Sequence, residues 1–190
     1  MNETGLRAAA AESVALQQRF VDANASLLCD VGRRILGALE SGGKLLVFGN
    51  GGSAADAQHM AAELVGRYVR DRAALPALAL TTDPSAVTAI ANDFGFDDVF
   101  RRQVEAHGRP GDVALGISTS GRSANVVRAL RYARERGLHT VGLTGRGGGD
   151  VAAVVDQLLD VSSDSTPRIQ EVHALVVHLL CEVIEDEAAP

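Results

Sequence analysis

"KLLVFGNGGSAADAQHMAAELVGRY", residues 44–68, runs from a short apolar stretch through three glycines into a helical pattern. The apolar run does not alternate with polar residues, as expected of a strand covered on both faces, and Gly51 and Gly52 let backbone approach a ligand at its end. Four further runs repeat the theme: "LPALALTT" (75–82), "DVALGIS" (112–118), "HTVGLTG" (139–145) and "DQLLDVSS" (156–163). Helical periodicity separates them near 53–69, 85–106 and 122–136. This alternation predicts an α/β fold, a doubly wound parallel five-stranded sheet whose ligand sits outside the carboxyl ends of the strands. Ahead of the first strand, Leu6, Ala10, Val14, Leu28, Val31, Ile35 and Leu39 give residues 4–40 a helical pattern. It is interrupted near "DANAS" (22–26) and ends at Gly42-Gly43. The chain therefore divides into an N-terminal helical arm, 1–42, and an α/β domain, 43–190.

Composition narrows the ligand. Of 190 residues only 4% are aromatic and none is Trp, so stacking on bases or sugars is not the main mode of recognition. A formal net charge of −6 without a basic run repels nucleic acid, and a phosphorylated small molecule must be held by local donors. Cys29 and Cys181 lie far apart without metal or CxxC spacing, as in a reducing compartment. No stretch has the length and apolarity of a membrane span or a signal h-region, so a cytoplasmic protein is expected.

Three loops after strands carry the chemistry: "GNGGSA" (49–54), "STSGRSAN" (118–125) and "TGRGGGD" (144–150). In the second, Ser118, Thr119, Ser120 and Ser123 surround Gly121, and a helix begins at about Arg122. Hydroxyls and helix N-terminal N–H groups converging there can hold a phosphate without lysine; the plainer alternative is ordinary helix capping. "GNGGSA" also fits the G-x-G-x-x-A dinucleotide turn. That fingerprint needs an acid about 20 residues on, and Asp83 comes too late. Ser53 followed by Asp56 reads instead as a variant capping box.

Asp56, His59 and Glu63 share one stripe of the helix that follows. They are either a solvated polar face or, because that helix starts at the ligand crevice, a general base and metal ligands. On the final helix, "TPRIQEVHALVVHLLCEVIEDE" (166–187), His173 flanks the apolar arc and reads as structural, whereas His178 shares a polar stripe with Glu171 and Glu182. Gln170 lies eight residues before His178, roughly 12 Å of rise, which a straight helix does not easily bring to one metal.

Together "GNGGSAADAQHMAAELVGRY", "LTTDPSAVTAIANDFGF", "GDVALGISTSGRSANV" and "RIQEVHALVVHLLCEVIE" resemble the sugar isomerase (SIS) domain family, specifically the bacterial phosphoheptose isomerases, over almost the whole chain. The resemblance implies isomerisation of sedoheptulose 7-phosphate to D-glycero-D-manno-heptose 7-phosphate, an early step toward nucleotide-activated heptoses for lipopolysaccharide or other glycans. It implies a homotetramer with sites at subunit interfaces, an oligomerising role for the arm, and one zinc per subunit. By matching position, Asn50, Gly51, Gly52, Asn92 and Asp93 contact the sugar, and Ser118, Thr119, Ser120 and Ser123 hold its phosphate. His59, Glu63, Gln170 and His178 are the implied metal ligands, with Glu63 and His178 also the proton-transfer pair and Glu63 and Gln170 also touching substrate. Two rivals stand beside this. Non-catalytic SIS relatives that bind sugar phosphates or the bacterial replication initiator lack the Glu63 and His178 equivalents, and a nucleotide-dependent dehydrogenase would use the glycine turn alone.

Overall fold

The computed structural model describes residues 2–188. All five expected strands form: β1 (Leu45–Gly49), β2 (Ala77–Ala79), β3 (Val113–Ser118), β4 (His139–Gly145) and β5 (Gln157–Val161). They pair in parallel in the order β2-β1-β3-β4-β5. The chain leaves β1 in one direction and returns to pair β3 on its other side, so the switch point falls between the carboxyl ends of β1 and β3, where a doubly wound sheet binds its ligand. The "GNGGSA" and "STSGRSAN" loops are the two that meet there.

The period of two sorts β1 between two cores. Leu45 and Val47 join a core with α1 (Glu3–Glu40), α2 (Gly52–Val65) and α6 (Thr166–Glu187). Leu46 and Phe48 join one on the opposite face with α4 (Val99–His107) and α5 (Ala124–Glu135), flanked by α3 (Pro84–Phe94). Gly116 of β3 faces α5, where a Cβ would stand 2.7 Å from Leu130 Cδ1, so the helix lies close on the sheet.

Several boundaries differ from expectation. The first helix is continuous through "DANAS"; the Asn24 side chain donates to the Phe20 carbonyl at 2.9 Å instead of breaking the helix. From Leu16 onward α1 is part of the core shared with the sheet, and a Cβ at Gly32 would meet Val183 Cγ1 at 2.5 Å. A division at residue 42 therefore cuts through one packed unit, and only the first turns of α1, with exposed Leu6 and Val14, project as an arm. The helix expected over 85–106 is two, because Gly95 adopts φ +89. Only three residues of "LPALALTT" pair, as the edge strand β2. No helix among the described residues is long and apolar enough to cross a membrane.

His173 is fully buried on α6, its Nε2 3.1 Å from the Thr144 carbonyl oxygen on β4 and its Nδ1 without a partner. Burial pushes its pKa down to about 4, against the Thr144 carbonyl and Asp160, which both favour the charged form. Unfolded, the group titrates near 6.5, so its neutral form contributes stability in full above pH 6.5, and that contribution is lost as pH falls toward 4. The loss expected from this residue is up to about 3 kcal/mol. Urea midpoints at pH 7 and pH 4.5 should fall further apart in the wild type than in His173→Gln, which keeps a donor and cannot titrate; equal spacing would remove His173 as the cause.

Candidate active site

α2 starts where β1 ends, and its opening turn is glycine because the backbone turns sharply there. Gly51 has φ +57, and a Cβ at Gly49 would stand 2.7 Å from Ser53 Cβ. No side chain caps the helix; Ser53 is buried in its first turn, so the expected capping box does not form. The Ser53 and Ala54 N–H groups donate instead to the Asn50 and Gly51 carbonyls, both at 3.0 Å. Asp83, the residue a dinucleotide site would need, caps α3 by accepting from Ser85 N and Ala86 N at 2.9 and 3.0 Å.

Across the switch point Ser118 Oγ and Ser123 Oγ lie 2.9 Å apart, and Ser120 Oγ accepts from Arg122 N at 3.2 Å. α5 begins at Ala124, two residues later than expected, and Ser123 at its N-cap makes no side-chain capping bond. Its hydroxyl faces Ser118 instead, leaving the helix's first N–H groups open. Gly121 (φ +63) packs backbone to backbone on the third loop, where a Cβ would meet Gly148 O at 2.0 Å. Asp160 holds that loop by accepting from Gly147 N, Gly148 N and Thr144 Oγ1 at 3.1, 2.9 and 3.1 Å.

Asn125 is a site residue that the sequence reading missed. It is 3% exposed, and its carboxamide exchanges two hydrogen bonds of 2.9 Å with Asn50, while its oxygen also accepts from Val126 N. The pair ties the glycine loop to the serine loop and fixes the rotamer of Asn50. A buried amide immediately after a run of hydroxyls was the available signal; its partner, 75 residues away, was not.

The proton-transfer candidates converge lower down, between α2 and α6. His59 Nε2 lies 3.1 Å from Glu63 Oε1 and 3.2 Å from His178 Nε2, with the two imidazoles edge to face at 4.8 Å. One ligand atom from each of the three lies within 4.8 Å of the others. Two ring nitrogens and a carboxylate oxygen at this spacing fit a divalent cation. Donors about 2.0–2.2 Å from a four-coordinate zinc stand roughly 3.3–3.5 Å apart, close to the two separations from His59 Nε2. Burial pushes the Asp56 carboxyl, on the same helix, above its usual range, with His59 opposing the rise. Burial likewise raises the neighbouring Cys181 thiol to about 12, with the Glu63 charge adding to it.

Gln170 packs its amide at the start of α2, where a Cβ on Gly52 would stand 2.5 Å from Nε2. Gly52 precedes His59 by seven residues, nearly two full turns, so the amide lies on the face of α2 that carries the cluster. Asn92 and Asp93 are exposed at the end of α3, bonded to each other at 2.8 Å. They stand just before Phe96, which lines a cleft of about 150 Å³ with Asn50 and Gly51. A larger cavity, about 620 Å³, opens at the opposite end of the sheet beside Arg33, Arg34, Arg134 and His139. There Arg33 is paired with Asp30 and Glu187, and Arg134 with Asp156.

A doubly wound sheet with a hydroxyl-rich, lysine-free loop at its switch point, and a His/Glu cluster between α2 and α6, defines an α/β domain built to hold a small polar ligand outside its strand ends. The SIS domain family model matches residues 10–145. The phosphoheptose isomerase of Nitratidesulfovibrio vulgaris is 54% identical over 176 residues, covering 93% of this chain and 85% of that one. Among solved structures, phosphoheptose isomerase from Neisseria gonorrhoeae superposes with a TM-score of 0.91 at 47% identity, over 97% of this chain and 98% of that one. The Francisella tularensis phosphoheptose isomerase does so with a TM-score of 0.94 at 34% identity, over 98% and 100%. The chain belongs to the SIS-domain family and, within it, to the phosphoheptose isomerases.

Proposed function

We propose that this chain interconverts the ketose sedoheptulose 7-phosphate and the aldose D-glycero-D-manno-heptose 7-phosphate through an enediol, early in the making of nucleotide-activated heptoses for lipopolysaccharide or other glycans. The observation that carries the reading is the meeting of Glu63, His59 and His178 on two helices, behind a separate anion loop. The hydroxyls of Ser118, Thr119, Ser120 and Ser123 and the N-terminus of α5 hold the phosphate. The glycine loop, Asn50 and Gln170 line the path of the carbon chain, with Asn92 and Asp93 at its margin. The roughly 10 Å of α2 between Gly52 and His59 suits a long, extended sugar whose reacting end lies far from its phosphate.

At that end the Glu63 carboxylate lifts a proton from one of C1 and C2 and returns it to the other, and His178 Nε2 moves the proton on the adjoining oxygen. Zinc, one per subunit on His59, Glu63 and His178 with Gln170 as the fourth ligand, would supply Lewis-acid polarisation of the sugar carbonyl. A homotetramer with sites at its interfaces accords with the exposed apolar residues Leu6, Val14, Val65, Val69 and Leu78. We place the enzyme in the cytoplasm, in keeping with its two free thiols.

Incubating the purified chain with sedoheptulose 7-phosphate and following the aldose C1 proton by NMR tests the reading. Appearance of the aldose is expected, and conversion of other ketose phosphates but not of this one would overturn it. The anchor has its own test. Ser120→Ala and Ser123→Ala should each weaken phosphorylated-sugar binding about 10- to 100-fold, the value of a hydrogen bond to a charged group. Unchanged affinity by calorimetry in both would put the phosphate elsewhere.

A further inference from the structure

Beyond Val65 the chain turns back toward β2 through residues 66–76, and there a buried ion pair joins the two helices that carry the cluster. The Arg72 and Glu185 side chains are only 8% and 5% exposed, with Arg72 Nε 3.4 Å from Glu185 Oε1. Arg72 Nη2 donates to the Glu63 carbonyl at 2.7 Å, and Nη1 donates to the Leu64 and Ala73 carbonyls at 2.9 and 3.0 Å. The guanidinium thus closes the last turn of α2 on the backbone of Glu63 itself, placing a cation at the negative end of that helix. Glu185 accepts from the N–H groups of Tyr68, Val69 and Arg70 at 3.3, 2.9 and 2.9 Å, seating the turn that carries Arg72. It lies two helical turns beyond His178 on α6, so both face α2. The Tyr68 ring, 5.9 Å from the His178 ring, completes the closed path.

We propose that Arg72, held by Glu185, is a positioning residue that sets the height of Glu63 along α2 against His178 on α6. The inference rests on the reading of Glu63 as the carbon base. A buried charge pair that only braced the fold could take any carbonyls as partners; besides that of Ala73, this one takes those of Glu63 and its neighbour, the shortest bond being to Glu63. Displacement of a catalytic group by about 1 Å from a distance can cost a hundredfold in rate.

Arg72→Lys keeps the charge and loses the fork that reaches carbonyls and carboxylate together. Its kcat is expected to fall about 30- to 100-fold with KM within threefold, because the phosphate anchor is untouched. Glu185→Gln keeps one acceptor oxygen, enough for the Val69 and Arg70 N–H groups, and removes the charge seating Arg72 together with the acceptor of Tyr68 N–H; the same split is expected, about tenfold in kcat. If Arg72→Lys fails to fold, Glu185→Gln decides. Turnover within threefold of wild type in the folded variants overturns the proposal. So does a loss of kcat and KM together in step with melting temperature, the signature of a brace for the fold alone. Glu63→Gln, measured alongside, separates the two ideas. If it keeps wild-type turnover, the base has been misassigned, whatever Arg72 does.

Discussion

Glu63→Gln is expected to lower kcat by about 10²–10⁴-fold, the usual worth of a positioned proton-transfer group, while the protein still binds phosphorylated sugar. The structure separates the two functions in space. Glu63 lies near the far end of α2, whereas the hydroxyls proposed to hold the phosphate lie between the end of β3 and the start of α5, across the switch point. The substitution keeps the shape of the side chain and removes its proton-carrying carboxylate, which is also an anionic donor to the proposed zinc, while the phosphate anchor is untouched, so the loss should appear in turnover. Calorimetry with the ketose phosphate should return a Kd within a few-fold of wild type. Turnover within a few-fold of wild type would instead assign the carbon proton to another group. His178 would be the first candidate, since its Nε2 lies 3.2 Å from the same His59 Nε2 that Glu63 Oε1 meets at 3.1 Å.

The parts of this fold that could be read in the sequence are those whose burial is set locally. β1, β3 and β4 are covered on both faces, so their apolar runs have nearly the bounds of the strands. α6 begins and ends where its sequence pattern does, Thr166 to Glu187, because one stripe of it faces the core along its whole length. Gly95 was harder: the helical period continues on both sides of it, and only its positive φ separates α3 from α4. Ser53 has the sequence of a cap, but it is buried inside the first turn, whose N–H groups are met by the Asn50 and Gly51 carbonyls instead.

In the site, the separation of His173 from His178 follows from angle alone. Helical spacing also gives the pairing of His59 with Glu63. Hidden were the partners fixed by tertiary packing. Asn125 meets Asn50, and Arg72 meets Glu185, across strands and helices that no local pattern relates. Gln170 belongs with them: α2 and α6 run side by side from the same end of the sheet, so a residue two turns before His178 meets Gly52, on the same face of α2 as His59.

Those two histidines give the second large effect, because the same substitution should fail in different ways five residues apart. His178→Ala is expected to leave a folded protein with kcat down about 10²–10⁴-fold, since it removes the group that moves the oxygen's proton. It also takes one of three converging donors from the proposed zinc site. Metal retained after dialysis, by elemental analysis, should fall well below wild type. His173 has no access to that site. It is enclosed by the core, with one nitrogen on the Thr144 carbonyl, so His173→Ala leaves a cavity and an unpaired acceptor. A loss of roughly 2–4 kcal/mol is expected there, seen as a lower melting temperature with metal retained. Melting temperature and metal content measured on both variants form a two-by-two comparison in which each histidine moves one quantity. If His173→Ala released the metal while His178→Ala kept it, the cation would have to lie between α6 and the sheet rather than between α6 and α2. Glu63 would then lose the neighbour that makes it a base for this chemistry.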